Sequence, residues 1–361
     1  MVADPLQPRL TDLLLYPTNR CNLQCVHCYT ASVRDPRRMV AEGEVQTEYL
    51  CRVMDALIPF GLTRCMFSGG EPFLRPDLTF LCDYAASHEL DVVIETNGTL
   101  IGDLEVTALA KLPRLALVSV SLDGARAVTH DKIRGARSAF ASSVRAVGRL
   151  LEAKVNVQVV CCLMQDNAAE ARTLIDLCAH WGVGQFKANI VMPMGRGAVL
   201  KPPDLGAMYQ IDAKLCEHAS KLGMQYVSSV PLAFQSSAQI METCAWASKC
   251  KATSTLAVLA DGTIALCAMG REVAALRFGN IWDDDLVELW KTHPTLRLLR
   301  ESVPLKLRGV CSRCILRSAC EGHCRVTGTD MSVSELADPC WQCAQMEARG
   351  LFPKNRLAWP S

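Results

Sequence analysis

Three cysteines near the start of the chain have a spacing that could do chemistry. Cys21, Cys25 and Cys28 stand in the run Cys-Asn-Leu-Gln-Cys-Val-His-Cys, a C-x3-C-x2-C pattern. Three thiolates in one tight loop can ligate three irons of a [4Fe–4S] cluster and leave the fourth iron open to another ligand. A structural zinc, the alternative, takes four protein ligands and would need His27 or a distant residue to complete it. Nine more cysteines crowd the C-terminal third: Cys311-x2-Cys314-x5-Cys320-x3-Cys324, then Cys340 and Cys343, preceded by Cys244, Cys250 and Cys267. Their C-x2-C pairs suit zinc sites as well as iron–sulfur clusters. The other seven of the nineteen cysteines (Cys51, Cys65, Cys82, Cys161, Cys162, Cys178 and Cys216) sit among apolar neighbours and read as core packing.

Clustered thiols hold metals in a reducing compartment and form disulfides in an oxidising one. Met1–Arg9 lacks the basic start and apolar centre of a secretory signal, so a cytoplasmic setting is expected. The formal charge is +1 and no Lys/Arg block stands out, which gives no reason to expect nucleic acid or an anionic membrane as partner. No apolar run approaches the roughly 20 residues that span a bilayer.

Stepping outward from the cysteines, residues 11–195 alternate short apolar runs with helical patterns. Strands are expected at Leu13–Pro17, Arg64–Ser68, Asp91–Thr96, Ala116–Asp123, Val155–Leu163 and Gln185–Met192. Helices are expected near Glu44–Phe60, Asp77–Glu89, Leu104–Leu112, Ala139–Ala153 and Ala168–Trp181. This alternation predicts an α/β fold, a partial (β/α)6 TIM-like barrel over 1–200, with functional residues on the loops after the strands. Pro193–Pro203 reads as a linker, and a helix near Leu205–Lys221 falls in a linking segment, 201–243. A cysteine-rich domain, 244–361, follows. In it Asp261-Gly262 marks a hairpin between Thr255–Leu259 and Thr263–Cys267, and Trp282–Trp290 reads as a helix.

The cysteine loop and the motifs behind it resemble the radical S-adenosylmethionine (SAM) superfamily. His27 stands where that family usually has an aromatic residue. The resemblance implies that the open iron chelates SAM, and that Ser68-Gly69-Gly70-Glu71-Pro72 contacts its amino group. Glu95-Thr96-Asn97-Gly98 and Ser121-Leu122-Asp123-Gly124 resemble segments that touch its ribose and methionine parts. Arg134, in His130-Asp-Lys-Ile-Arg134-Gly135, resembles an arginine that pairs with its carboxylate, a role suited to a planar guanidinium. Two strands carry polar pairs on one face, Lys187 with Asn189 and Asn156 with Gln158, as candidates to face substrate.

Gly262-x4-Cys267 ahead of the four-cysteine run resembles the SPASM domain, which holds two auxiliary [4Fe–4S] clusters. By that resemblance Cys244, Cys250, Cys267 and Cys324 would hold the nearer auxiliary cluster. Cys311, Cys314, Cys320 and either Cys340 or Cys343 would hold the farther one. Sulfatase-maturing relatives place an aspartate directly after the Gly-x4-Cys cysteine; here Ala268 and Met269 follow Cys267, and Glu242 is a base candidate only by elimination. Twenty residues precede Cys21, too few for a leader-binding domain, so a peptide substrate would need a separate leader-binding protein or a docking surface on this chain. The resemblance implies three [4Fe–4S] clusters, SAM, and a low-potential electron donor of flavodoxin or ferredoxin type. The expected activity is oxidative cross-linking of a ribosomally made peptide. The alternatives are dehydrogenation or side-chain editing of a small molecule, and a zinc-stabilised binding module without chemistry.

Overall fold

A computed structural model describes residues 8–201, 204–243, 250–326, 328 and 330–358. Cys244 lies outside the described residues. At the centre is β1 (Asp12–Thr18), buried on both faces along nearly its whole length, as its apolar run demands of a parallel strand covered by helices. Beside it lie β2 (Arg64–Gly69), β3 (Asp91–Thr96), β4 (Leu115–Ser121), β5 (Val157–Leu163) and β6 (Gln185–Ile190), all parallel and in chain order. Each expected strand is present with ends within two residues of its sequence reading.

The helices form for the reason their spacing suggests. α1 (Thr47–Leu57) buries Leu50, Val53, Met54 and Leu57, one face at i, i+3, i+4 and i+7. α2 (Leu78–Ser87), α3 (Asp103–Ala110), α4 (Ala127–Arg134), α5 (Ala139–Glu152), α6 (Ala171–Trp181) and α7 (Leu205–Lys221) follow. α7 has the bounds read from sequence, and Asp204 caps it by accepting from Gly206 N. α4 was not expected. The expected helix over Trp282–Trp290 is Leu286–Thr292 instead, because Asp285 accepts from the amides of Val287 and Glu288 and fixes the start there.

The sheet continues past the barrel on both sides. β7 (Gln225–Ser228) pairs parallel with β6. On the opposite edge β8 (Thr255–Val258) pairs parallel with β1, and β9 (Thr263–Ala265) and β10 (Arg277–Asn280) add the expected hairpin and one more antiparallel strand. Ten strands therefore form one sheet, open between β7 and β10. Within the expected linker, residues 193–201 run beside the cysteine loop. The Gly195–Val199 turn there carries Arg196, which bonds back to that loop.

Candidate active site

The cysteine loop leaves the C-terminal end of β1 and is closed by a two-residue ladder, Arg20–Cys21 with Val33–Arg34. The end of α4 holds it from one side: Gln24 N donates to Arg134 O at 3.1 Å and Val26 N to Ile133 O at 2.9 Å. Arg196 holds it from another, donating Nε to Cys25 O (2.8 Å), Nη1 to Ser32 O (2.9 Å) and its backbone N to Cys28 O (2.9 Å). From the third side Gly70 packs so closely that a Cβ there would stand 2.0 Å from Arg20 O. Only glycine permits this approach.

The three thiols form no disulfide, and each has a donor aimed at its sulfur. Leu23 N reaches Cys21 Sγ at 3.4 Å, Arg134 Nη1 reaches Cys25 Sγ at 3.7 Å, and Thr30 Oγ1 lies 3.2 Å from Cys28 Sγ. Burial, helped by the charge of Glu71, pushes the Cys21 thiol up to about 12, and burial raises Cys25 against the pull of Arg134. Burial also acts to raise Cys28, but the Thr30 and Ser32 hydroxyls and Arg196 outweigh it and hold that thiol low. Sulfurs buried out of water yet furnished with N–H and O–H donors suit thiolates neutralised by iron. The donor set thus fits a cluster held by three cysteines.

A cavity of about 460 Å³ opens over this loop. Cys21, Cys25 and Cys28 line it together with Ser68, Gly69, Gly70, Glu95, Thr96, Asn97, Ser121 and Arg134, all expected to meet SAM. Lys187 and Asn189 line it too, half-buried on one face of β6 while Phe186 and Ala188 turn into the core. Asn156 and Gln158 do not line it. Asn156 donates to Ala116 O, and Gln158 bonds to Ser119 and Gln185.

Glu71, Pro72 and Asp123 stand behind the cavity wall. Glu71 is 0 % exposed, and its carboxylate accepts from Asn97 N (2.8 Å), Thr96 Oγ1 (2.7 Å) and Phe73 N (3.2 Å). Burial pushes it up to about 7 against those bonds. It braces the Thr96–Asn97 corner. Asp123, also fully buried, accepts from Cys162 N and lies 2.8 Å from Arg134 Nη2 and 3.5 Å from His27 Nε2. Burial works against its charge, but Arg134 and His27 hold it below the usual carboxylate range. Burial in turn lowers His27 to about 4.

Cys250 and Cys324, read from sequence as ligands of the nearer auxiliary cluster, line the same cavity as the catalytic loop. Arg196, Ser229, His323, Trp341 and Gln342 join them, and no local motif marks these residues. Cys250, Cys267 and Cys324 lie close enough for their charges to act on one another. Cys311, Cys314, Cys320, Cys340 and Cys343 form a second group, with Cys340 and Cys343 hydrogen-bonded to each other. Among the described residues no three Cys, His, Asp or Glu side chains converge tightly enough for a single metal ion.

Comparison with known proteins agrees with this geometry. Residues 15–178 match the radical SAM superfamily and residues 250–315 match the SPASM iron–sulfur cluster-binding domain. The chain is a radical SAM enzyme with a C-terminal SPASM domain. It is 37% identical over 188 residues to the Fe-coproporphyrin III synthase of Methanosarcina barkeri, a match covering 52% of this chain and 46% of that protein. With the mycofactocin maturase MftC of Mycobacterium tuberculosis it shares 29% identity over 348 residues, 94% of this chain and 84% of the relative. Streptococcus suis SuiB, solved with its precursor peptide SuiA, has the same fold at a TM-score of 0.70 and 18% identity, covering 88% of this chain and 72% of SuiB. Among the described residues no helix is long and apolar enough to cross a membrane.

Proposed function

We propose that this chain cleaves SAM reductively and uses the resulting radical to cross-link a ribosomally made peptide, through a carbon–carbon or thioether bond. One observation carries the reading: a single cavity is lined by the Cys21–Cys28 loop, by Cys250 and Cys324, and by Lys187, Asn189 and Trp341. With clusters bound at the three cysteine sets, the protein would have an electron to split the SAM sulfonium bond and an acceptor for the electron left on the oxidised substrate.

The chain's own residues do the positioning. Glu71 fixes Thr96 and Asn97, and Ser68 donates to Glu95 Oε2 at 2.9 Å, so this wall is set before the cofactor arrives. Arg134 offers positive charge at the cavity surface while Asp123 holds its fork. Lys187 and Asn189 line the same cavity, where a substrate would lie. Trp341 lines the same cavity and adds apolar surface to it.

A tetrapyrrole or similar small acid is the second reading. It is favoured by the relationship to Fe-coproporphyrin III synthase and by Lys187, a cation without an ion-pair partner among the described residues, which suits a substrate carboxylate. We further propose a flavodoxin- or ferredoxin-type electron donor and, for a peptide, a separate leader-binding protein.

The test is anaerobic reconstitution, iron and sulfide analysis, and reduction in the presence of SAM. Release of 5′-deoxyadenosine that disappears in Cys21→Ala, Cys25→Ala and Cys28→Ala is the expected result. A peptide product lighter by two hydrogens supports the first reading, and carbon dioxide from a tetrapyrrole supports the second. A fully loaded enzyme that never cleaves SAM sinks both.

A further inference from the structure

The turn between Cys320 and Cys324 is unusual. Glu321, Gly322 and His323 all have left-handed backbones, with φ of 52°, 76° and 55°. Three such residues in a row are disfavoured for L-amino acids. They send Cys320 toward the farther cysteine group and Cys324 toward the nearer one.

The next side chain, Arg325, fills the space this turn makes. A Cβ on Gly322 would stand 2.4 Å from Arg325 Nη2, so the turn wraps the guanidinium directly. Arg325 is 1 % exposed. Its Nη1 donates to Leu336 O and Asp338 O, both at 3.1 Å, and Nε to His323 O at 3.4 Å. Among the described residues Nη2 is buried without a hydrogen-bond partner, and no carboxylate lies within ion-pair distance of Arg325. A buried cation balanced only by carbonyls is costly, and it calls for a nearby anion.

The groups on which its charge acts are mostly thiols. The guanidinium charge reaches Cys250 and Cys324 of the nearer group and Cys311, Cys320 and Cys340 of the farther one. The Arg325 backbone N–H also bonds to the Cys250 thiol. A four-iron cluster held by four thiolates is a net anion in either redox state, and more so when reduced. A fixed positive charge between two such clusters favours the reduced form of each, and hydrogen bonds to their sulfurs act in the same direction.

We propose that Arg325 is the shared counter-cation of both auxiliary cysteine sets and raises the reduction potential of each auxiliary cluster. Arg325 is a positioning and tuning residue and touches no substrate. The proposal rests on iron–sulfur binding by the two sets and not on which substrate the enzyme takes.

The test uses the whole chain carrying Cys21→Ala, Cys25→Ala and Cys28→Ala, reconstituted so that only auxiliary clusters are present and followed by EPR redox titration. With Arg325→Met, both auxiliary clusters should reduce less readily, each by at least a tenfold change in oxidised-to-reduced ratio, about 59 mV for a one-electron couple. Arg325→Lys, which keeps the charge, should recover most of the shift, which a merely structural role would not predict. Unchanged potentials in a protein loaded with both clusters, or a shift confined to one cluster, overturn the proposal. Should Arg325→Met fail to take up iron, Arg325→Lys and Arg325→Gln decide it, since equal potentials in those two also overturn it. An iron-free protein before any change at Arg325 instead defeats the cluster reading itself.

Discussion

Arg134 Nη2 lies 2.8 Å from Asp123 Oδ2 in a buried ion pair whose cationic side also reaches Cys25 Sγ at 3.7 Å. The pair joins the end of β4 to the last turn of α4, and so to the cysteine loop that α4 supports. Removing one partner leaves the other charged and out of water. Asp123→Ala should therefore cost about 3 kcal/mol of folding stability, read by denaturant unfolding of the iron-free protein. Asp123→Ala combined with Arg134→Met should cost less than the sum of the two single changes. Additive losses would show that the pair is not coupled.

The Cys25 and Ser32 carbonyls depend on one side chain, Arg196. Arg196→Ala removes two charge-assisted bonds worth about 1.5 kcal/mol or more together. Iron bound by the Cys21–Cys28 loop should then be released to a chelator about tenfold faster, while auxiliary iron is retained. Equal release from all sites would show that Arg196 does not act on this loop.

Asp212 couples α7 to β7, accepting from Tyr226 Oη and Ser228 Oγ, both at 2.7 Å. Burial pushes its carboxyl up to about 6. The folded state then binds this proton more tightly than the unfolded chain does. Its contribution is fully present below pH ~4 and is lost as pH rises through 6, by about 3 kcal/mol. Asp212→Asn should flatten unfolding stability between pH 4 and 6. A slope identical to that of the parent would place the titration elsewhere.

Trp290 is fully buried, donates Nε1 to Pro8 O at 2.8 Å, and lies under the Arg300 guanidinium, 4.2 Å from its ring centroid. Trp290→Ala should destabilise the iron-free chain by about 3 kcal/mol or more. An unfolding midpoint within experimental error of the parent would refute this.

The chemistry of the site was more legible than its packing. The cysteine spacing and the strand-end motifs could be read because each needs particular residue types at fixed separations, and most of them meet at one cavity. Glu71 and Asp123 are absent from the cavity lining, and sequence does not say on which side of a strand-end corner a carboxylate lies. Arg196 was hidden in a stretch of Gly and Pro that suggested a linker; its partners are carbonyls more than 160 residues away in sequence. Trp341 and His323 enter the cavity only through the tertiary fold. α4 is not legible because its sequence, Ala-Val-Thr-His-Asp-Lys-Ile-Arg, has little apolar periodicity, and β7 is not because four residues give too short a pattern.

The hydrogen bonds between β8 and β1 have a consequence for how such an enzyme is taken apart. β1 leads straight into the catalytic cysteine loop, and β8 carries the hairpin that ends at Cys267. Cutting the chain between the two family domains would strip a strand from the centre of the sheet and leave β1 as a raw apolar edge, open to pairing with other chains. An excised N-terminal domain should therefore aggregate rather than act alone. A chimera that exchanges auxiliary domains would have to carry β8–β10 with its new cysteines and match the register Asp12–Thr255 through Leu15–Val258.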